Sequence, residues 1–261
     1  MDIALLMVVG GIAAGMFGSL LGLGGGLLIV PLLTIGFGLP LREAVGVSLV
    51  CVIVTSSVSA GVFLQRRQAN LRLGMLLELF TAMGAIAGGL VAFLLSDRVL
   101  AGLFAIVLVY VAATMARGLR RGPAGGVRPD DVIEVEQTVR NLPAGLVGSV
   151  GAGVVSALLG IGGGIVKVPV MHLVMGVPLR IATATSNLMI GITASASAIV
   201  YVLRGGIDVN AVGPTAIGVF VGASIGSRVA SRVDVRLLRI LFVAVLLFTA
   251  FEMARRAVAG S

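Results

Sequence analysis

The chain reads as an all-α polytopic membrane protein built from two homologous halves, and three observations point there. Hydrophobic residues make up 58% of its 261 residues and charged residues only 11%, against roughly 25% charged in a soluble domain. Long apolar runs recur along its length, separated by short basic clusters such as Gln65-Arg66-Arg67 and Arg117 to Arg121, where cytoplasmic loops carry their positive charge. The stretch Gly22 to Ser48, GLGGGLLIVPLLTIGFGLPLREAVGVS, returns as Gly160 to Ser186, GIGGGIVKVPVMHLVMGVPLRIATATS, at a constant spacing of 138 residues. Gly22, Gly24, Gly25 and Gly26 fall on Gly160, Gly162, Gly163 and Gly164, Pro31 on Pro169, and Pro40-Leu41-Arg42 on Pro178-Leu179-Arg180. The register persists to Ser59-Ala60 on Ser197-Ala198 and Gly84-Ala85 on Gly222-Ala223. Residues 1–116 and 139–261 are therefore two repeats joined by a polar linker, 117–138. Matched interruptions in two halves of a membrane protein point to a binding site.

Taken in order, Ile3 to Leu21 is apolar and, at 1.5 Å per residue, about long enough to cross the hydrocarbon core. The chain breaks at Gly22 to Gly26, resumes over Leu27 to Phe37 and stops before Gly38-Leu39-Pro40. That second run is too short to span, the length of a re-entrant segment, so Ile3 to Phe37 is expected to form a hairpin with its glycine tip at membrane depth. Leu41 to Leu64, Leu73 to Leu95 and Val99 to Met115 are three crossings. The linker, with its Gly, Pro and mixed charge, is exposed. Leu142 to Leu159, a break at Gly160 to Gly164, Ile165 to Met175, then Leu179 to Leu203, Val209 to Val229 and Val235 to Met253 repeat the plan.

A hairpin plus three crossings returns each half to the opposite side, so the halves are inverted. With the linker in the cytoplasm, twelve arginines fall inside and five outside. A parallel arrangement with four crossings per half gives eleven and six, so the charge bias favours inversion.

The net charge of +8 does not indicate nucleic acid, because the basic residues flank apolar runs and Trp is absent. Cys51 is alone, so there is no intramolecular disulfide and no Cys/His metal cluster, and no cofactor is expected. The glycine motifs lack the G-K-[ST] ending of a phosphate-binding loop, which argues against direct use of ATP.

A glycine break leaves unpaired N–H groups at the start of the next helix, and in hydrocarbon these need a partner. An anion against Gly24, Gly25 and Gly26, or against Gly162, Gly163 and Gly164, would supply one while meeting the positive end of the helix dipole. Lys167, the sole lysine, stands three residues after Gly164 where the first half has Ile29. An intramembrane ammonium is a functional candidate by default, with snorkelling to the surface as the alternative. Ser48, Thr185, Ser186 and Asn187 add hydroxyl and amide groups suited to oxyanion oxygens, or else to bonds between helices. His172 is a lone histidine, more often a packing residue than a ligand. Glu78 and Glu252 are placed near segment ends, leaving no central carboxylate.

The paired motifs GLGGGLLIVPLL and GIGGGIVKVPVM, each followed by G-x-P-L-R, resemble the TauE/SafE family of membrane permeases, the sulfite exporter family, over essentially the whole chain. The resemblance implies a multi-pass protein of the bacterial inner membrane, in contact with lipid, that moves sulfite, sulfonates or other small sulfur-containing or organic anions. The expected function is a secondary transporter, an exporter working by alternating access, with protons a possible coupling ion. A passive anion channel and an intramembrane enzyme are the alternatives. On this reading Lys167→Ala leaves the protein folded, since it removes a desolvation penalty, and weakens anion binding roughly ten- to a hundredfold in an affinity titration.

Overall fold

The computed structural model describes residues 3–21, 24–65, 69–118, 139–229 and 235–259. Gly22 of the first motif and residues 119–138 of the linker lie outside the described residues. Those described form α1 (Ile3–Leu21), α2 (Gly26–Pro31), α3 (Leu41–Gln65), α4 (Leu71–Ala92), α5 (Asp97–Gly118), α6 (Leu142–Leu159), α7 (Gly164–Pro169), α8 (Leu179–Leu203), α9 (Val209–Val229) and α10 (Val235–Ala259). Among them, α1, α3, α4, α5, α6, α8 and α9 are seven helices long and apolar enough to cross a membrane. The fold is thus an all-α, multi-pass membrane protein with glycine-rich joints.

The two short helices carry the expected break. Pro31 and Pro169 have no N–H to donate, and each sits where the α-helix loosens into a π turn, Leu32–Gly36 after α2 and Val170–Val174 after α7. Each arm folds back on the helix before it. Gly18 lies against the backbone of Gly25 and Gly10 against the Leu32 side chain, so the first arm retraces α1 toward its start. Ser156 against Gly163 and Gly148 against Val170 repeat this in the second half. Gly38 and Gly176, both at positive φ, then turn the chain out of the arm. Leu39 N donates to Leu33 O at 3.1 Å and Val177 N to Met171 O at 2.9 Å across those turns.

Packing exchanges helices between the halves. α1 lies along α9 and, equivalently, α6 along α4; α3 packs on α9 and α8 on α4; α3 meets α8 and α5 meets α10. The match is atomic. Gly84 sits on the Val150 carbonyl as Gly222 sits on that of Ile12, and Gly153 sits on the Thr81 carbonyl as Gly15 sits on that of Val219. With no hydrophobic effect to drive helices together inside lipid, small residues let backbones approach and dispersion contacts accumulate. α3 and α8 form the centre: their membrane windows are 61% and 56% buried, against 28–44% for the other five.

A side chain at these crossings has nowhere to go, because its obstacle is backbone. Gly222→Ala is expected to force α1 and α9 apart at a cost of about 1–3 kcal/mol. Gly151→Ala, with open space around the added carbon, should hold or raise stability by about the helix propensity gain of 1 kcal/mol or less. Thermal unfolding of both variants in the same detergent checks the contrast.

Candidate functional site

The two glycine loops meet at the middle of the molecule. Gly24 and Gly25 have φ of 74° and 77°, and Gly162 and Gly163 have 83° and 75°, a conformation in which a Cβ would clash with the following carbonyl. The carbonyls at the tips accept the arms' first amides: Gly25 O takes Leu28 N at 3.0 Å and Ile29 N at 3.2 Å, and Gly163 O takes Val166 N at 3.1 Å and Lys167 N at 3.0 Å. Hydroxyls of the central helix α3 secure further backbone carbonyls. Thr55 Oγ1 donates to Gly24 O at 2.7 Å, Ser48 Oγ to Gly160 O at 2.8 Å and Ser56 Oγ to Asn187 O at 2.8 Å. Gly26 rests on the Gly160 carbonyl, so the first loop touches the second directly.

The space between the loops is filled. Val52 and Ile190, equivalent under the repeat, pack against both Gly24 and Gly162. The expected residues consequently separate into groups. Gly24, Gly25, Gly26, Gly162, Gly163, Gly164, Ser48 and Ser186 surround this centre, whereas Thr185 turns to the start of α4 and accepts from Asn70 N at 3.0 Å. Asn70 in turn caps α4, its Oδ1 accepting from Leu73 N at 3.0 Å. Ser48 and Thr185 are occupied by protein. Ser186 Oγ, which faces Gly164, and Asn187 Nδ2 are buried with no hydrogen-bond partner. Unpaired buried polar atoms are uncommon in a folded interior, and these two stand on consecutive residues of the central helix.

Lys167 does not reach the surface. It is 1% exposed, and its Nζ donates to Glu78 Oε2 at 2.8 Å and to Thr193 Oγ1 at 2.6 Å. Thr193 donates its single hydroxyl hydrogen to Glu78 Oε1 at 2.6 Å, closing a ring of ammonium, hydroxyl and carboxylate. The members come from α4 in one half and from α7 and α8 in the other. Among the described residues Glu78 and Lys167 are the only buried charged side chains. This corrects two expectations. Snorkelling is excluded for Lys167, and Glu78 is not terminal: α4 begins at Leu71, which puts Glu78 about two turns inside the helix, 4% exposed. His172, half-buried on the same arm, directs Nδ1 to the Val177 carbonyl at 2.9 Å and stays out of the ring; a carbonyl only accepts, so that nitrogen carries the hydrogen.

Glu78 and Thr193 are the site residues that sequence reasoning missed. The signal was present in the repeat. Lys167, Thr193 and Glu78 correspond to Ile29, Thr55 and Ala216, so both charges fall in one of two symmetry-related places, made by α4, α7 and α8, and neither falls in its equivalent, made by α9, α2 and α3. In the first half Thr55 bonds backbone instead, and the equivalent place is apolar.

Chemically, the ring can hold a carboxylate or another oxyanion between a cation and a hydroxyl. No group of three or more His, Cys, Asp or Glu able to hold a metal occurs among the described residues. The pairing also changes the expected behaviour of Lys167→Ala. Removing one member of a buried pair strands the other charge, at a cost of about 3–5 kcal/mol. The double change Lys167→Ile with Glu78→Ala, which installs the residues found at the symmetry-related positions Ile29 and Ala216, should recover most of that loss in thermal unfolding measurements.

Against known proteins, the model of the family described as "Sulfite exporter TauE/SafE" matches residues 7–253. The chain is 26% identical over 256 residues to "Probable membrane transporter protein YunE" of Bacillus subtilis, covering 91% of this chain and 94% of that protein. A Methanocaldococcus jannaschii protein also described as a probable membrane transporter is 30% identical over 207 residues, covering 75% of this chain and 71% of its own length. No solved structure matches the chain. With the match running through both glycine motifs and every long helix, the chain belongs to the TauE/SafE family: it is a multi-pass membrane transporter of small anions and not an enzyme.

Proposed function

We propose that this transporter is a secondary exporter of a small oxyanion, sulfite or a related sulfonate, in the bacterial inner membrane, and that it works by alternating access between two inverted halves. The observation that carries the proposal is the buried Lys167 ammonium on a broken arm, held where the halves meet. An ammonium at that depth costs several kcal/mol unless something anionic answers it; here the Glu78 carboxylate does so at 2.8 Å, in a place that suits the oxygens of a transported anion. Ser186 Oγ and Asn187 Nδ2, buried and unpartnered on the adjacent central helix, supply the neutral donors that fix oxygen atoms. Gly162, Gly163 and Gly164, with Gly24, Gly25 and Gly26 opposite, bring backbone amides close, while Ser48 and Thr185 hold the loops and α4 in position. The filled space at Val52 and Ile190 suits a closed state in which neither side has access.

Inversion is supported by the exchange of α1 with α6 across α9 and α4, and by arms that fold back rather than continue across. Such halves can rock against one another about a central site.

Counterflow in proteoliposomes tests the function. Saturable exchange of sulfite, thiosulfate or isethionate is expected, and linear flux without counterflow would assign a channel instead. Topology has its own test. Pro40 and Pro178 are equivalent and exposed, so single cysteines placed there in a Cys51→Ala background should react with an impermeant maleimide from opposite sides of the membrane. Labelling from the same side would mean parallel halves.

A further inference from the structure

We infer that Glu78 occupies, in this closed state, the place of the transported anion, and that an arriving oxyanion displaces its carboxylate only as Glu78 takes up a proton. The inference rests on the proposed anion site and adds a second ligand to it. Lys167 and Thr193 hold the two oxygens of Glu78 separately, at 2.8 Å and 2.6 Å. A sulfonate or sulfite group offers a similar pair of oxygens to the same ammonium and hydroxyl. The carboxylate is therefore a competitor already in the site.

Charge balance dictates the proton. The closed ring is neutral, one ammonium against one carboxylate. A monoanion added on Lys167 would leave Glu78 as a second negative charge, buried and without its cation. That cost, several kcal/mol for an unpaired ion in a low-dielectric interior, disappears when a proton from water binds the carboxylate. The loaded site is then Lys167 ammonium, anion and neutral Glu78 acid, whose O–H becomes a further donor. Release reverses the step and returns the proton to water.

Among the described residues the surroundings offer no other group to absorb the charge. Of the elements packed on α4, α6 has no titratable residue between Leu142 and Leu159, and α8 presents Thr193 and the Met189 carbonyl. Tyr201, further along α8, gives its hydroxyl to Ala157 O at 3.0 Å. On the arm, His172 faces Val177 O. Arg72 lies nearly two turns before Glu78 on α4. The fold does not require the pair, since Ile29 and Ala216 occupy the symmetry-equivalent positions. A costly feature present on one side of a symmetric frame is retained for a task.

Isothermal titration of isethionate, with thiosulfate in parallel, into the purified full chain in buffers of different ionisation enthalpy reads protons taken up per anion. About one proton is expected above neutral pH, with affinity falling up to roughly tenfold per pH unit as pH rises. Glu78→Gln, which imitates the protonated acid, should bind with no uptake and no such slope. Wild-type binding without proton uptake, or an unchanged slope in Glu78→Gln, overturns the inference and leaves the transporter reading standing. Failure of every anion to bind or to show counterflow overturns that reading itself. Should Glu78→Gln not fold, the Lys167→Ile, Glu78→Ala pair decides: a loss of at least about tenfold in affinity supports the site, and parental affinity rejects it.

Discussion

A backbone interrupted inside a bilayer must be covered by protein, because lipid offers no hydrogen bonds to the exposed N–H and C=O groups. The remaining architecture answers that constraint. The glycine loops are wrapped by the arms after them, by the most buried helices, α3 and α8, and by each other. Thr55 and Ser48 donate to loop carbonyls from the first half's central helix, and Ser56 reaches across to Asn187 of the second. Such cover is possible only if the outer helices approach closely, which is why Gly15, Gly84, Gly153 and Gly222 all meet carbonyls of the opposite half. The abundance of glycine thus serves two linked purposes, bending the chain at the centre and closing the bundle around the bend.

Within this symmetric frame, the Lys167, Thr193 and Glu78 ring is a local departure from symmetry. Its components lie on three elements and are 26, 89 and 115 positions apart in sequence. Ion pairs of this kind are poor stabilisers relative to apolar packing of the same shape, and the symmetry-related positions carry apolar residues, Ile29 and Ala216. Joining α4 of one half to α7 and α8 of the other, the ring also ties the halves together at a point where they would have to move. In the proposed mechanism an anion that loosens the ring also loosens this contact between halves, which would connect binding to motion without a separate trigger.

The unsatisfied Ser186 Oγ and Asn187 Nδ2 fit the same picture. A closed interior normally pairs its polar atoms, and the neighbouring Ser48 and Thr185 obey that rule. Two unpaired donors side by side, next to a glycine loop, are the ones the proposed anion site draws on.

By itself the sequence determined the class, the two halves, the broken arms and the position of every long helix, because hydropathy and a constant repeat offset are properties of residue order. It also singled out Lys167, since one lysine in an apolar run needs no structure to be conspicuous. What it could not show was the partner of that lysine. Glu78 looks terminal when the apolar run is read from Leu73, whereas the Asn70 cap starts the helix at Leu71 and the arm carries Lys167 down to the level of Glu78. Nor could it distinguish Ser48 and Thr185, spent on backbone amides and carbonyls, from Ser186 and Asn187, whose Oγ and Nδ2 have no partner. Contacts between segments about a hundred residues apart are set by how helices cross, and the filling of the central space by Val52 and Ile190 exists only once the two loops are brought together.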